Sequence, residues 1–515
     1  MPSARDADRL TSGRLLLRNT LFNLGGQGAT IVLALVAVPV LLHGLGPDRF
    51  GVLALAWATI SYAGRLDLGL GRALTRSVSM RLGTGREDEV PAVFWAAVST
   101  VMALGVAVAV GLAALAPWLV HDVLTVPPGL EDEAIAAFRV LSVSAPVVVG
   151  GTAIRGYLEA QQRFDLTNAI LLPATLLSYL GPVVVLAFTN SLPLVVSTVV
   201  ASRLVAALIS LWFCLRITPA LRRPTLSRPA LAELVRSGGW IMSTNLVIPL
   251  LSTTLDRYFI GALVSTAAVA YYATPAEAIM RLAIIPAALT GVMFPAFSLT
   301  AASDRGRTAE LFNRGERFLF LAIFPPVLVA VALASPLMTA WLGADIAERS
   351  TPILQWLAAG VLMNALAVPT FGLVQAIRPR LLTIVQVVEL PFYAFGLWLL
   401  LKAFGVTGAA IAWTIRAGID SLVLFVLAGR LVPQIAAPSR RLWAVLLGTL
   451  AGLVGALWAD GLGQQVTVVL AGLALFGVAA WRLLLSEPDR ALIARWRAAA
   501  RRARLRRPPA SEPRT

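Results

Sequence analysis

Ionisable side chains stand inside apolar stretches of this sequence, where each costs roughly 2.5–3.5 kcal/mol to place at the centre of a membrane helix. Groups that persist there do one of two kinds of chemistry. They neutralise one another so that a helix can enter lipid, or they bind a charged ligand or ion in a hydrated interior. The densest group is Arg65, Asp67 and Arg72 in the run Arg65-Leu-Asp-Leu-Gly-Leu-Gly-Arg72, whose glycines let another helix or a ligand approach the backbone. Asp256 and Arg257 come later. Three further pairs lie four residues apart, on one helical face: Arg155 with Glu159, Glu277 with Arg281, and Arg416 with Asp420. Neutral pairing explains any one of these as well as ligand binding does. The whole set, with Arg139, Arg203 and Glu389, occurs in both halves of the chain and is rich in arginine, and Arg203 stands unpaired in an apolar run. Arg65, Arg72, Arg155, Arg203, Arg281 and Arg416 are thus the candidates to line a cationic cavity, whose ligand would be an anion or carry an anionic head. Asn19, Asn23 and Gln27 form a polar stripe at one-turn spacing, suited to a wet face or to interhelical hydrogen bonds.

The elements that must position these groups are membrane helices. Apolar runs long enough to cross about 30 Å of hydrocarbon recur from Leu21 to Trp481 and give about fourteen helices, the first at 20–42, the second at 50–78, the seventh at 237–263, the eighth at 268–298 and the thirteenth at 441–459. The expected fold is therefore an all-α polytopic membrane protein with two pseudo-symmetric six-helix lobes and two added C-terminal helices. Residues 1–216 form the first lobe, 217–236 a cytoplasmic linker with Pro219, Pro224 and Pro229, 237–431 the second lobe, 432–485 the accessory helices, and 486–515 a tail. A faint repeat supports the lobes: Gly156, Ala160, Leu166, Thr167, Ala187 and Phe188 match Gly372, Ala376, Leu382, Thr383, Ala403 and Phe404 at one constant offset. Two such lobes with polar interior faces imply a central cavity that opens alternately to either side.

Loop charge sets the orientation. Arg81 and Arg86, Arg163, Arg222 and Arg223, Arg305 and Arg307, Arg378 and Arg380, and Arg440 and Arg441 fall on one side, which the positive-inside rule makes the cytoplasm; both termini are expected there. The opposite loops hold Glu131-Asp132-Glu133, Asn190-Ser191 and the stretch from Gly461 to Gln465. The tail carries nine arginines from Arg490 to Arg514 and an apolar stripe of Leu492, Trp496, Ala499 and Ala503, and is read as an interfacial helix on anionic lipid, with a disordered basic tail as the alternative. No small-residue cleavage site follows the first apolar run, so that run is expected to remain as a span.

Composition excludes several classes. Of 515 residues 58% are hydrophobic and 14% charged, with a mean hydropathy of +0.80, far from the balance of soluble domains. The net charge of +16 lies in short loops and the tail rather than on a polar domain, which argues against nucleic acid. Cys214 is the single cysteine, and His43 and His121 are the two histidines, both at loop edges, so no disulfide, metal centre or cofactor is expected.

The sequence resembles the Wzx-type polysaccharide flippases of the multidrug, oligosaccharidyl-lipid and polysaccharide exporter superfamily. The resemblance rests on Asn19, Leu45-Gly46-Pro47, Phe50-Gly51, the Leu66-Asp-Leu-Gly-Leu-Gly71 run and Arg76. In the second half it rests on Asp256-Arg257, Ile260-Gly261, Val269-Ala-Tyr271, Phe294-Pro295, Trp341-Leu-Gly343 and the stretch from Phe404 to Trp413 leading to Arg416. It implies transport, not catalysis: an undecaprenyl-pyrophosphate-linked oligosaccharide moves from the cytoplasmic to the outer leaflet of a bacterial inner membrane. Further implied partners are the polymerase or glycosyltransferase machinery of polysaccharide synthesis. Arginine forks suit the phosphates, and an inside-negative potential assists outward movement of an anion by about 2.3 kcal/mol per charge per 100 mV. Coupling to proton or sodium entry through Asp67, Asp256, Glu277, Glu389 or Asp420 is open. The pattern of lipid II flippases and the paired acids of cation-coupled drug exporters are not matched in the first spans. An ion-coupled multidrug exporter of the same fold is the rival reading, disfavoured by the arginine excess. A membrane glycosyltransferase or polymerase needs a larger outer loop than any here, and a channel would not need a repeat of lobes.

Overall fold

The computed structural model describes residues 13–67, 69–225, 229–234, 250–300, 304–435 and 461–485, with a few single positions besides. The described residues are helical and contain no strand. Ten of their helices are long and apolar enough to cross a membrane. Large apolar side chains face outward along them, such as Val110, 64% exposed, and Leu475, 72% exposed. Surfaces of that kind are stable against lipid rather than water. The expected all-α polytopic fold is thus observed, while the thirteenth span, the start of the seventh and the tail lie outside the described residues.

Helix α1 (Gly13–Ala63) contains two expected spans joined at Gly46, whose φ of 78° no side-chain-bearing residue adopts easily; Pro47 then opens the second segment. The second span does not run to residue 78. It stops at Ala63, and α2 (Leu70–Gly83) starts after a turn. Then come α3 (Val90–Trp118), α4 (Glu131–Ser142), α5 (Ser144–Ala160), α6 (Phe164–Leu186) and α7 (Leu192–Ile217). Next are α8 (Leu255–Leu263), α9 (Thr266–Ile279), α10 (Ile284–Thr300) and α11 (Arg305–Ala332). The eighth expected span is therefore two helices, parted by a tight turn at Met280–Ala283. Pro286, which lacks an N–H and clashes with the carbonyl four residues back, opens the second of them. The rest are α12 (Ala334–Leu342), α13 (Ala344–Ile377), α14 (Pro379–Phe404), α15 (Val406–Leu431) and α16 (Leu462–Ala479).

Contacts divide the chain into two compact units. The first comprises Met1–Arg281, Met338–Leu357 and Arg378–Ala417. Its core joins α2, α3 and α5 through Leu74, Phe94, Val101, Val149 and Tyr157. The described part of the linker packs on this core: Leu221 and Leu234 are fully buried, the Trp95 indole donates to the Leu221 carbonyl at 2.9 Å, and Arg81 of α2 grips Glu233 at 2.8 Å. At the opposite end, Glu133 accepts from Arg49 at 3.0 Å and from the backbone N–H of Leu192 at 2.6 Å. The loops expected on a common side thus meet one another.

The second unit comprises Leu282–Leu337, Ala358–Ile377 and Gly418–Thr515. Phe297, Phe312 and Leu373 centre one core, and Phe320 and Phe324 of α11 pack against Phe476 of α16, the closer ring pair at 4.5 Å.

Candidate functional site

The site is built around the break between α1 and α2. A helix that stops inside an apolar stretch leaves backbone N–H groups without partners, and hydrocarbon cannot satisfy them. Asp67 does. Its two carboxylate oxygens accept from the N–H of Gly69 at 3.0 Å and of Gly71 at 3.2 Å, and Gly69 takes the left-handed conformation, φ 71°, that closes the turn. The turn is clamped to α5. A Cβ on Gly156 would lie 2.5 Å from the Gly71 carbonyl, and the Thr75 hydroxyl donates to the Gly156 carbonyl at 2.9 Å. Of the two approaches the sequence allows at these glycines, the one observed is that of a neighbouring helix. Fixed in this way, the turn carries Arg65 to the wall of a cavity.

That cavity, of about 320 Å³, is lined by Arg65, by Arg155 of α5 and by Arg203 of α7, with the hydroxyls of Thr152, Thr167 and Ser210. Arg155 lies 4.0 Å from Glu159, a loose pair, and the buried Nε of Arg203 has no hydrogen-bond partner. A second cavity of about 260 Å³ shares Ser61, Arg65 and Arg203 and adds Trp57, Tyr179, Thr254, Arg257 and Glu277. Glu277 is the one acid among the described residues that line either cavity. It is heavily engaged: it accepts from the Tyr179 hydroxyl at 3.0 Å, pairs with Arg281, and lies 3.7 Å from Arg257. Arg281 also donates to the Tyr179 oxygen at 2.9 Å. Four guanidinium groups against one neutralised carboxylate make the space cationic, in a setting where the low dielectric strengthens attraction for an anion.

The structure therefore brings together Arg65, Arg155 and Arg203, and places Glu277 and Arg281 beside them. Arg72 is exposed on α2 and lines neither cavity. Arg416 pairs with Glu389 of α14 at 3.4 Å and approaches the ring of Tyr393, so its observed partner lies on another helix; Asp420 stands one turn along α15. Asp256, fully buried, accepts hydrogen bonds from the hydroxyls of Tyr272 on α9 and Tyr393 on α14. The side chains of Asn19, Asn23 and Gln27 lie outside the described residues.

Trp57, Ser61, Tyr179, Tyr272 and Tyr393 are not singled out by the sequence. A signal was present for the first two, since Trp57, Ser61 and Arg65 follow at one-turn spacing and so share a helical face. For the tyrosines there was none, because an aromatic ring in an apolar run serves equally in a core.

Comparison with known proteins bears on this geometry. Residues 41–351 match the model of a family described as polysaccharide biosynthesis protein. A Shigella flexneri protein named "Putative O-antigen transporter" is 26% identical over 79% of this chain and 96% of its own length. The Bacillus subtilis membrane protein EpsK is 23% identical over 66% of this chain and 67% of its own. Among solved structures, the lipid II flippase MurJ in an inward closed conformation superposes with a TM-score of 0.69 at 13% identity, covering 90% of this chain and 99% of that one. An inward-facing multidrug resistance MATE transporter superposes with a TM-score of 0.67 at 16% identity, covering 79% and 96%. These two establish a shared fold. With more than half of its length inside the matched model, the chain belongs to the polysaccharide biosynthesis protein family, as a multi-pass membrane protein with the fold of the MATE and MurJ proteins.

Proposed function

We propose that this protein flips an undecaprenyl-pyrophosphate-linked oligosaccharide from the cytoplasmic to the outer leaflet of a bacterial inner membrane. The observation that carries this reading is the convergence of Arg65, Arg155 and Arg203 on a hydroxyl-lined cavity, with the Arg203 Nε left unpartnered. A buried guanidinium nitrogen without a partner, as in Arg203, costs stability unless a ligand compensates it. A pyrophosphate does so, because guanidinium forks bind its oxygens bidentately. The polar head needs such a path, since each unpaired hydroxyl in hydrocarbon would cost roughly 2–7 kcal/mol. The polyprenyl tail can stay in lipid. Residues 1–216 and 237–431 act as the two lobes of an alternating-access cycle about the linker at 217–236, and the membrane potential contributes to outward movement of the anionic head. The transporters named for O-antigen and lipid II support the substrate class.

Arg203→Gln tests the proposal. In a strain lacking the native gene, this variant is expected to reach the membrane at normal abundance and to abolish surface polysaccharide. Arg203→Lys is expected to retain part of it, since an ammonium keeps the charge but not the fork. Full export by Arg203→Gln would remove the arginine cavity from the path.

A further inference from the structure

The two cavities share Arg65, Arg203 and Ser61 but differ in chemistry beyond them. Past these arginines the first has no ring and no acid: its polar groups are Arg155 and the hydroxyls of Ser61, Thr152, Thr167 and Ser210, set among aliphatic side chains such as Val148 and Leu171. Past the same arginines the second has two aromatic rings and an internally neutralised acid. Trp57 and Tyr179 lie 5.6 Å apart with their planes inclined by 57°, and Phe50 braces the far edge of Trp57 at 6.1 Å. Tyr179 is fixed in turn by its bonds to Glu277 and Arg281. The Nε of Arg257 is buried without a partner, while its other nitrogens reach the Ala54 carbonyl at 3.3 Å and Glu277 at 3.7 Å.

An anion gains little at this second end, where Glu277 opposes Arg257. A pyranose sugar gains more. One face of such a ring is a patch of C–H groups that packs on an aromatic surface, and its hydroxyls are each both donor and acceptor. Arg257 supplies donors only and Glu277 acceptors only, with the Ser61 and Thr254 hydroxyls offering both, so the wall can satisfy hydroxyls of either sense. We propose that the second cavity is the sugar subsite, in which Trp57 and Tyr179 form the platform for the pyranose nearest the pyrophosphate while Arg65 and Arg203 hold the phosphates at the junction with the first cavity. This assignment rests on the flippase reading and adds an orientation to it: the glycan points toward α8 and α9, the pyrophosphate toward α5 and α7.

The test uses the full-length protein in lipid nanodiscs and two probes, undecaprenyl pyrophosphate and the same lipid carrying a single N-acetylglucosamine. Trp57→Leu is expected to weaken binding of the glycosylated lipid by about tenfold or more and to leave the bare pyrophosphate within about twofold, while Trp57→Phe restores most of the loss. Thr175→Phe, which fills the second cavity without removing either ring, is expected to discriminate in the same direction and serves if Trp57→Leu fails to assemble. Arg203→Gln should weaken both probes. Equal loss of the two probes in Trp57→Leu and Thr175→Phe, or no loss in either, overturns the sugar subsite while leaving the flippase standing. Failure of the wild type to bind either probe overturns the flippase reading, and the subsite with it.

Discussion

Glu277 serves two guanidinium groups, and this decides how its neighbourhood responds to substitution. Arg281, one turn along, shares it with Arg257 of α8, and Tyr179 donates to the same carboxylate. Removing a charge that compensates two buried partners costs more than removing either partner. Glu277→Gln is therefore expected to destabilise the protein by about 3–5 kcal/mol, visible as lost membrane abundance and a lower melting temperature in detergent. Arg281→Gln should cost clearly less, because Glu277 keeps Arg257. The double variant should recover only part of the loss, since Arg257 then loses its salt-bridge carboxylate; full recovery would show Arg281 to be the partner that matters. Asp67 gives a second contrast. Its oxygens close a turn, so Asp67→Asn, which keeps an acceptor, should retain most export, whereas Asp67→Ala should lower abundance at a cost of about 1–2 kcal/mol. Loss of export at normal abundance in Asp67→Asn would instead mark it as a coupling site.

At the scale of elements, the sequence reveals where the backbone bends better than where side chains meet. Gly46 before Pro47 announces a bend through its own local chemistry. The break at Gly64–Gly69 instead reads as continuous span in the sequence, because apolar residues flank it on both sides and the polar atoms that repair it lie within the turn. Phe50-Gly51 proves to be a packing motif: the Gly51 backbone lies against the Thr266 carbonyl, and the Thr266 hydroxyl donates to Asp48 at 2.8 Å. The cationic cavity was legible because arginine in an apolar run is costly enough to demand an explanation. Its aromatic wall was not, because rings in such runs need none. The linker adds a contact that only folding creates. Arg81, buried, makes two hydrogen bonds to Glu233 and holds that carboxyl below the usual range chiefly through them, with the Ser77 hydroxyl and the guanidinium charge adding to the effect. A depressed carboxylate contributes stability above its ordinary value and loses it as pH falls through the folded value, so this contact is fully present at neutral pH and fails only in acid. Glu233→Gln at neutral pH should therefore reproduce the acid state, with faster hydrogen exchange across 219–234. Unchanged exchange would show that Leu221 and Leu234 alone hold the linker.

For the whole molecule, composition alone settles lipid as solvent, and the helices bear this out with apolar side chains along their outer surfaces. Orientation across the membrane is a separate matter, decided by loop charge rather than by packing. The contacts join the loops in two sets: Arg81 with Glu89 and Glu233 at one end, Glu133 with Arg49 and the Leu192 N–H at the other. The positive-inside rule assigns the first set, rich in arginine, to the cytoplasm. The native protein suits a direct test, because Cys214 is its one cysteine and is fully buried, so an introduced thiol reports against a silent background. Asn190 and Asp88 are both exposed and belong to opposite sets. With a membrane-impermeant maleimide on cells whose outer barrier is opened and inner membrane intact, Asn190→Cys should label at once. Asp88→Cys should label only after lysis. The reverse pattern would invert the orientation and with it the direction in which the arginine cavity carries an anion, so that the membrane potential would oppose export instead of assisting it.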